Sequence, residues 1–141
     1  MSKTIKRFSG QYAFLSNFYE CHVKYEGLEY RNSEAAFQAN KTLDPEKRKA
    51  FTDLDGAASK KAGRKLKLRA DWNDVKDDVM YQVCRAKFEQ NPALLQQLKD
   101  TGDAELIEGT MWHDSYWGVD LTTGKGENHL GVILMKIRTE L

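Results

Sequence analysis

The sequence predicts an α+β fold: a mostly helical single domain, residues 1–141, with a small antiparallel sheet. Three observations lead to this prediction. Apolar and polar residues alternate before Asn32, which is typical of strands, whereas apolar residues recur every three or four positions after it, which is typical of helices. The length of 141 residues suffices for one domain with its own core, and no repeat or linker divides it.

The strands are predicted from alternation and turn residues. Residues 23–30 contain a Glu26-Gly27 turn between two alternating stretches, which indicates a β-hairpin. The short apolar stretch 104–109 indicates another strand, and we expect this strand, near Ile107, to form one sheet with the hairpin. Residues 14–18 are expected to form an aromatic loop or a short edge strand.

The helices are predicted from apolar spacing and capping residues. Asn32 or Ser33 can cap the first helix, and Asp55 the third. The best-patterned helix is expected in the core. Its apolar face consists of Trp72, Val75, Val79, Val83 and Ala86. The expected helices cover about residues 34–42, 46–54, 56–68, 71–89, 92–101 and 127–139.

Composition excludes several classes of protein. No apolar run is long enough for a membrane span or a signal peptide, so we expect a cytoplasmic protein. Cys21 and Cys84 lack CxxC spacing and are expected to be free thiols, most simply small buried apolar residues. Three dispersed histidines show no metal-ligand spacing with them, so neither a metal nor another cofactor is expected.

A basic stretch follows the first helix. Residues 45–69 contain nine Lys or Arg against three acids. Such a cluster attracts phosphate, whether of a nucleotide or of a nucleic acid, although a solvated helix face has the same composition.

The first helix carries a polar stripe on an otherwise apolar sequence. Glu34, Gln38 and Lys41 stand at i, i+4 and i+7 and therefore share one face. Such a stripe faces either solvent or a polar cavity. On the pattern alone the surface is the more common location, so a catalytic interpretation needs further support.

Two further segments could bind a ligand. Residues 112–118 hold three aromatic rings and Asp114 in the longest predicted loop, which could stack a base or simply cover the core. Residues 124–128 form a glycine-rich turn before a helix, where N–H groups could hold phosphate. This turn lacks the spacing of a P-loop, and an ordinary tight turn is the more common explanation of such a pattern.

Taken together, these segments resemble the NADAR (YbiA-like) N-glycosidase family. Six motifs match in the order of the family, over about residues 8–138. They are Leu15-Ser16-Asn17-Phe18, Asn32 to Lys41 with its Ser-Glu-x-x-Phe-Gln-Ala-x-Lys core, Ala62-Gly63-Arg64, Met80 to Phe88, Asp114-x-x-Trp117-Gly118, and Gly124-x-Gly126-x-Asn128-x-x-Gly131.

The resemblance implies an N-glycosidase. Members of the family hydrolyse ribosylamine phosphates of riboflavin synthesis or remove ADP-ribose from guanine in nucleic acid. Glu34, Lys41 and Asp114 match its catalytic positions. The residues expected to bind substrate are Asn17, Phe18, Gln38, Arg64, Trp117, Gly118, Lys125, Gly126 and Asn128.

Chemistry of this kind suits the matched residue types. Cleavage of a C1′–N bond builds positive charge on the sugar, which a carboxylate such as Glu34 or Asp114 stabilises while the other transfers a proton. A neutral Lys41 could instead form a Schiff base with C1′.

The alternatives are a non-catalytic ADP-ribose-binding module and a structural protein that uses its aromatic loop as an interface. The expected partner is a phosphorylated ribosyl small molecule or ADP-ribosylated nucleic acid, with no membrane involved; the sequence leaves the oligomeric state open.

Overall fold

The computed structural model describes residues 3–141, which divide into two compact units. One unit combines residues 3–16 with Ala93–Leu141, and the other is Asn17–Pro92. The predicted class, α+β and mostly helical, is confirmed. The single domain that the length suggested stays a prediction.

The elements are numbered in chain order. The strands are β1 (Thr4–Ile5), β2 (Val23–Tyr25), β3 (Leu28–Tyr30), β4 (Glu105–Leu106), β5 (Gly109–Thr110) and β6 (Val119–Asp120). The helices are α1 (Ser33–Ala39), α2 (Pro45–Lys49), α3 (Gly56–Gly63), α4 (Trp72–Gln90), α5 (Pro92–Asp100) and α6 (His129–Glu140), with a 3-10 helix at Gly10–Leu15.

Helix α1 is the centre of the Asn17–Pro92 unit, because every one of its residues is buried. It packs against α3, α4 and the β2–β3 hairpin. Close approach to α3 depends on small residues there. A side chain at Gly63 would overlap the amide of Gln38, and one at Gly56 would overlap the ring of Phe18. The glycine of the Ala62-Gly63-Arg64 motif is therefore required by helix packing.

Helix α4 is a core helix, as its pattern predicted. Trp72, Val79 and Val83 are buried, and the Trp72 ring lies 5.2 Å from that of Phe37 between ring centroids. The buried face is wider than expected. It also includes Met80, Cys84, Lys87 and Phe88, whereas Val75 and Ala86 are only half-buried.

Lys87 is a charged residue in this core, with only 1% of its surface exposed. Its ammonium group lies 5.2 Å from the ring centroid of Phe88 and 5.8 Å from that of Tyr19. Aromatic faces attract cations, and the effect is strongest where water is excluded. The ring contacts therefore offset part of the cost of burying this charge.

The other unit is built on two short parallel pairings. Strand β1 pairs with β4, and β5 pairs with β6, so that Gly109 faces Val119 and Thr110 faces Asp120. Helix α6 packs on β4. Gly131 lies so close to the backbone carbonyl of Leu106 that no side chain fits between them.

The expected single sheet is wrong. Within residues 3–141 the strands form three separate two-stranded sheets. The hairpin pairs only with itself, and the strand near Ile107 pairs with Thr4–Ile5, which is too short to show alternation. Of the stretch 14–18, expected as a loop or edge strand, Phe14 and Leu15 belong to the 3-10 helix, and residues 16–18 form a turn.

The first three helices end earlier than predicted, for a common reason. After each of them the chain continues in tighter turns with i to i−3 hydrogen bonds. Examples are Lys41 N–H to Gln38 O, Leu54 N–H to Phe51 O and Leu66 N–H to Gly63 O. The apolar spacing thus continues beyond the last α-helical residue, which explains the overlong predictions.

None of the helices formed by residues 3–141 is long and apolar enough to cross a membrane.

Replacing Gly131 by Ala tests the close contact of α6 with β4. Alanine favours a helix over glycine by about 1 kcal/mol, so without a clash the variant would be more stable. Because the new methyl group would overlap Leu106 O, we expect it to lower the free energy of unfolding by about 1–3 kcal/mol. Urea unfolding measures the change. Val132→Ala, at an exposed neighbouring position, is the control and should change little.

Candidate active site

Two members of the polar stripe on α1 are buried. Glu34 has 9% and Gln38 has 5% of its surface exposed. Gln38 Nε2 donates a hydrogen bond of 2.7 Å to Glu34 Oε2. A plain surface face, the more common location for such a pattern, is therefore wrong for these two residues. A buried carboxylate beside an amide is a feature of sites more than of surfaces.

Lys41 lies just beyond the end of α1 and is half-buried. Burial lowers the pKa of its amine; Glu34 opposes this shift, and the charges of Arg64 and Lys60 add to it. The amine lies 6.0 Å from the ring centroid of Phe37. A lysine in these surroundings holds a larger neutral fraction at a given pH than an exposed lysine does, as a nucleophile requires.

The beginning of α1 is fixed by Asn17. Its backbone carbonyl accepts from the Glu34 N–H at 3.0 Å, and its side-chain Oδ1 accepts from Ser33 Oγ at 2.8 Å. Its Nδ2 in turn donates to Met80 Sδ of α4. Asn17 was expected to bind substrate, yet its amide is buried and engaged within the protein. Its observed contacts hold Glu34 in place.

The end of α1 is fixed by Arg69. Its backbone N–H donates to Lys41 O at 2.8 Å, and its guanidinium forms two hydrogen bonds with Asp71. The hydrogen bond to Asp71 raises the pKa of Arg69. Sequence reasoning saw this arginine only as part of the basic stretch, because no local pattern reveals a contact with Lys41.

Arg64 and Phe18 lie at the two ends of α3. Arg64 is exposed and follows the last residue of α3, and its charge acts on Lys41. Phe18 rests on Gly56 and keeps 44% of its surface exposed. Within this unit the structure therefore brings together the acid, the amide, the amine and a second cation that the sequence predicted.

The aromatic loop is shaped by Asp114. Its Oδ1 accepts hydrogen bonds from the N–H groups of Tyr116 and Trp117, at 3.1 and 3.0 Å. Thr110 Oγ1 accepts from the N–H of Asp114 itself. The carboxylate expected to act in catalysis thus sets the turn that carries Trp117, and its catalytic role stays a prediction.

Three rings form a cluster at the base of this loop. Tyr116 stacks on His129 with 4.3 Å between ring centroids, and Trp117 meets the Tyr116 ring edge-on at 4.8 Å. Trp117 is half-buried. Its orientation is fixed by these rings as well as by the turn at Asp114.

The N–H groups of residues 127–130, around the start of α6, are engaged within the protein. They donate to the carbonyls of Ser115, Gly118, Tyr116 and Trp117 in that order, at 2.8–3.2 Å. The carbonyls of the aromatic loop therefore provide hydrogen-bond acceptors for the N–H groups at the start of this helix. Lys125 remains exposed, and the parts expected for Lys125, Gly126 and Gly118 in binding stay predictions.

Asn128 is also engaged inside the protein. Its side chain accepts from the Glu108 N–H at 3.0 Å and donates to Leu106 O at 2.9 Å. Its backbone is left-handed, with φ of 54°, which asparagine tolerates better than most residues. These bonds join α6 to the chain beside β4. The amide that was expected to contact substrate is therefore already engaged within the protein.

Sequence reasoning missed a pair of residues in the aromatic loop. His113 Nδ1 lies 2.6 Å from Asp120 Oδ2. The imidazole is 69% exposed, while the carboxylate is only 8% exposed. The hydrogen bond from His113 lowers the pKa of Asp120. His113 lies in an irregular loop and not in a helix or hairpin, so no periodic pattern pointed to the pair.

Residues 3–141 contain no group of three His, Cys, Asp or Glu side chains placed to hold a metal ion. Cys84 is buried and Cys21 half-buried, and both are free thiols. Burial raises the pKa of Cys21, which makes its thiolate less available.

Comparison with known proteins identifies relatives over the whole chain. N-glycosidase YbiA of Escherichia coli (strain K12) is 40% identical over 147 residues, which cover 100% of this chain and 91% of the relative. The riboflavin biosynthesis protein VVA0006 of Vibrio vulnificus is 39% identical over 92% of this chain, but the match covers only 36% of that longer protein.

The fold is shared as well. The NMR structure of the E. coli protein YbiA matches 99% of this chain and 86% of its own, with a TM-score of 0.86 and 36% identity. The NADAR domain matches residues 5–141, a range that includes parts of both compact units. Because this domain and a full-length relative both match almost the whole sequence, the chain belongs to the NADAR domain family.

Proposed function

We propose that this chain is a hydrolase of N-glycosyl bonds that cleaves the C1′–N bond of a ribose phosphate or ADP-ribose derivative. The observation that carries the proposal is the cluster on α1: a buried carboxylate held by an amide, next to an amine whose pKa burial lowers. The names of the relatives support it, since a full-length relative is called an N-glycosidase and another a riboflavin biosynthesis protein.

Glu34 is the proposed catalytic carboxylate. As the C1′–N bond breaks, positive charge develops on C1′ and the ring oxygen, and a carboxylate in surroundings poor in water stabilises it strongly. The backbone of Asn17 and the amide of Gln38 hold Glu34 in one position. No reorganisation is then needed as the charge forms, which is how fixed groups lower a barrier.

Lys41 provides a covalent route. Its neutral amine forms a bond to C1′ as the C1′–N bond breaks and the base leaves with that electron pair and a proton. The resulting lysine ribosylamine opens at the C1′–O4′ bond, with a proton going to O4′, to give an imine that water hydrolyses to release the sugar and the free amine. This route needs an amine that loses its proton readily. Burial and the neighbouring charges of Arg64 and Lys60 both favour the neutral form.

Substrate binding follows from the same charges. Arg64 and Lys60, whose charges act on Lys41, suit a phosphate of the substrate. Stacking of a base on the Trp117 ring stays a prediction. A non-catalytic binding module would use the cations, but it would gain nothing from the buried Glu34 or from a lysine of lowered pKa. The free thiols suit action in the reducing cytoplasm.

Glu34→Gln is the first test of the mechanism. The amide keeps the size of the side chain but removes the negative charge, so we expect hydrolysis to fall at least about a hundredfold. Thermal unfolding of the variant should stay close to that of the unmodified protein. The exposed Glu29→Gln provides a matched control and should retain full activity. A normal rate for Glu34→Gln would remove this carboxylate from the mechanism.

Lys41 can be tested by trapping. Borohydride added during turnover reduces an imine to a stable amine, so mass spectrometry should find the sugar on Lys41. Trapping should decline as the pH falls through the pKa of Lys41, which lies below that of an ordinary lysine. Lys41→Arg, which keeps the charge but cannot form the imine, should give no adduct. Full activity without any adduct would indicate direct attack by water.

The substrate is identified by a direct comparison. The purified protein is incubated with an ADP-ribosylated guanine oligonucleotide and, separately, with ribosylamine phosphates, and the released sugar is measured by mass spectrometry. The basic stretch 45–69 favours the oligonucleotide, in which case kcat/KM should fall steeply with added salt. Release from the ribosylamines alone, with little salt dependence, would point to the free metabolite. No release from either would refute the proposed activity.

A further inference from the structure

Three cations surround one contact between α1 and α3. Gln38 and Gly63 meet there, since a side chain at Gly63 would overlap the Gln38 amide. Lys41 lies three residues after Gln38. Arg64 lies directly after Gly63, and its N–H donates to the carbonyl of Lys60, one turn earlier, at 3.3 Å. The side chains of Lys41, Lys60 and Arg64 are therefore attached around the same point.

The charges of this group act on one another. Those of Arg64 and Lys60 lower the pKa of Lys41 together with burial, and Glu34 opposes the shift. Lys60 and Arg64 stand four residues apart along the chain, where like charges on a helix repel each other. Lys60 is half-buried, whereas Lys61 beside it is exposed. A bound phosphate would remove the repulsion, because its negative charge and several acceptor oxygens match lysine and arginine.

Lys41 is the nucleophile of the group. Its amine lies 6.0 Å from the ring centroid of Phe37, and burial increases the fraction of the amine that is neutral. Its backbone carbonyl accepts from the Arg69 N–H at 2.8 Å, so the side chain starts from a fixed point. A neutral amine reacts with an aldehyde to give an imine, and this reaction needs no other reactant.

We propose that Lys41, Lys60 and Arg64 form a binding site for small phosphorylated aldehydes, in which the two cations of α3 hold the phosphate and Lys41 forms an imine with the aldehyde carbon. The inference goes beyond the proposed function, because the ligand needs no N-glycosyl bond. A sugar phosphate released by the proposed reaction belongs to this class in its open-chain form. Such a product would occupy the site and inhibit further turnover, a consequence that rests on the proposed function.

The reaction is reversible and involves no oxidation or reduction. Lys41 Nζ forms a bond to the aldehyde carbon, and the carbonyl oxygen leaves as water with the two protons of the neutral amine. The imine then takes up one proton from solvent. Glu34, which opposes the loss of charge on the amine, also favours the cationic imine. Water reverses the reaction and releases the aldehyde unchanged.

The test compares two aldehydes that differ only in the phosphate. The full chain is incubated with glyceraldehyde 3-phosphate or with glyceraldehyde, borohydride reduces the imine to a stable amine, and peptide mass spectrometry locates the adduct. Lys41 should be the main labelled residue with the phosphorylated aldehyde. Its half-saturating concentration should be at least about tenfold lower than that of glyceraldehyde, as charge-assisted hydrogen bonds to a phosphate predict. Inorganic phosphate should protect Lys41 from labelling.

Variants of α3 assign the phosphate contacts. Lys60→Gln and Arg64→Gln should each raise the half-saturating concentration of the phosphorylated aldehyde about tenfold and leave that of glyceraldehyde unchanged. Lys61→Gln, at the exposed neighbouring position, is the matched control and should change neither value. Lys41→Arg should give no adduct at position 41. Thermal unfolding checks that each variant is folded.

The outcomes separate this inference from the proposed function. Equal labelling of Lys41 by the two aldehydes, no protection by phosphate, or labelling spread evenly over exposed lysines would refute the binding site. If the chain nevertheless hydrolyses an N-glycosyl substrate, the proposed function stands without it. Preferential labelling of Lys41 in a chain that cleaves neither test substrate would support the binding site and refute the proposed activity.

Discussion

The hydrogen bonds between Asn17 and the start of α1 are the constraint on which the Asn17–Pro92 unit depends. Asn17 accepts from Ser33 and Glu34 and donates to Met80, so a single residue joins the loop, the first helix and the core helix. Buried polar groups are costly unless they are paired, and these are paired within the protein. The result is a carboxyl group that is buried and held in one place.

Packing and chemistry share the same residues in α1. The lack of a side chain at Gly63 leaves room beside α3 for the amide of Gln38, and that amide donates to Glu34. Arg69 holds the backbone of Lys41 on the other side. Substitutions that loosen the two helices would therefore also disturb the acid and the amine. Stability and activity are expected to change together in this region.

The sequence predicted well what local spacing encodes. Periodicity placed α4 and its buried face, and Asn32 and Asp55 were identified as caps that the structure confirms. Spacing also grouped Glu34, Gln38 and Lys41. It could not show that Thr4–Ile5 pairs with Glu105–Leu106, because strands of two residues carry no pattern. Nor could it reveal the burial of Lys87, or the contact of Asp120 with His113, because His113 lies in an irregular loop.

The aromatic loop caps α6 through its backbone carbonyls, so the side chains of the loop can change in evolution without loss of the cap. Backbone carbonyls are the same whatever side chain a residue bears. Ser115 or Tyr116 could thus be exchanged with the capping carbonyls still in place. Ligand preference could therefore change at this end of the chain while the helix beneath keeps its anchoring.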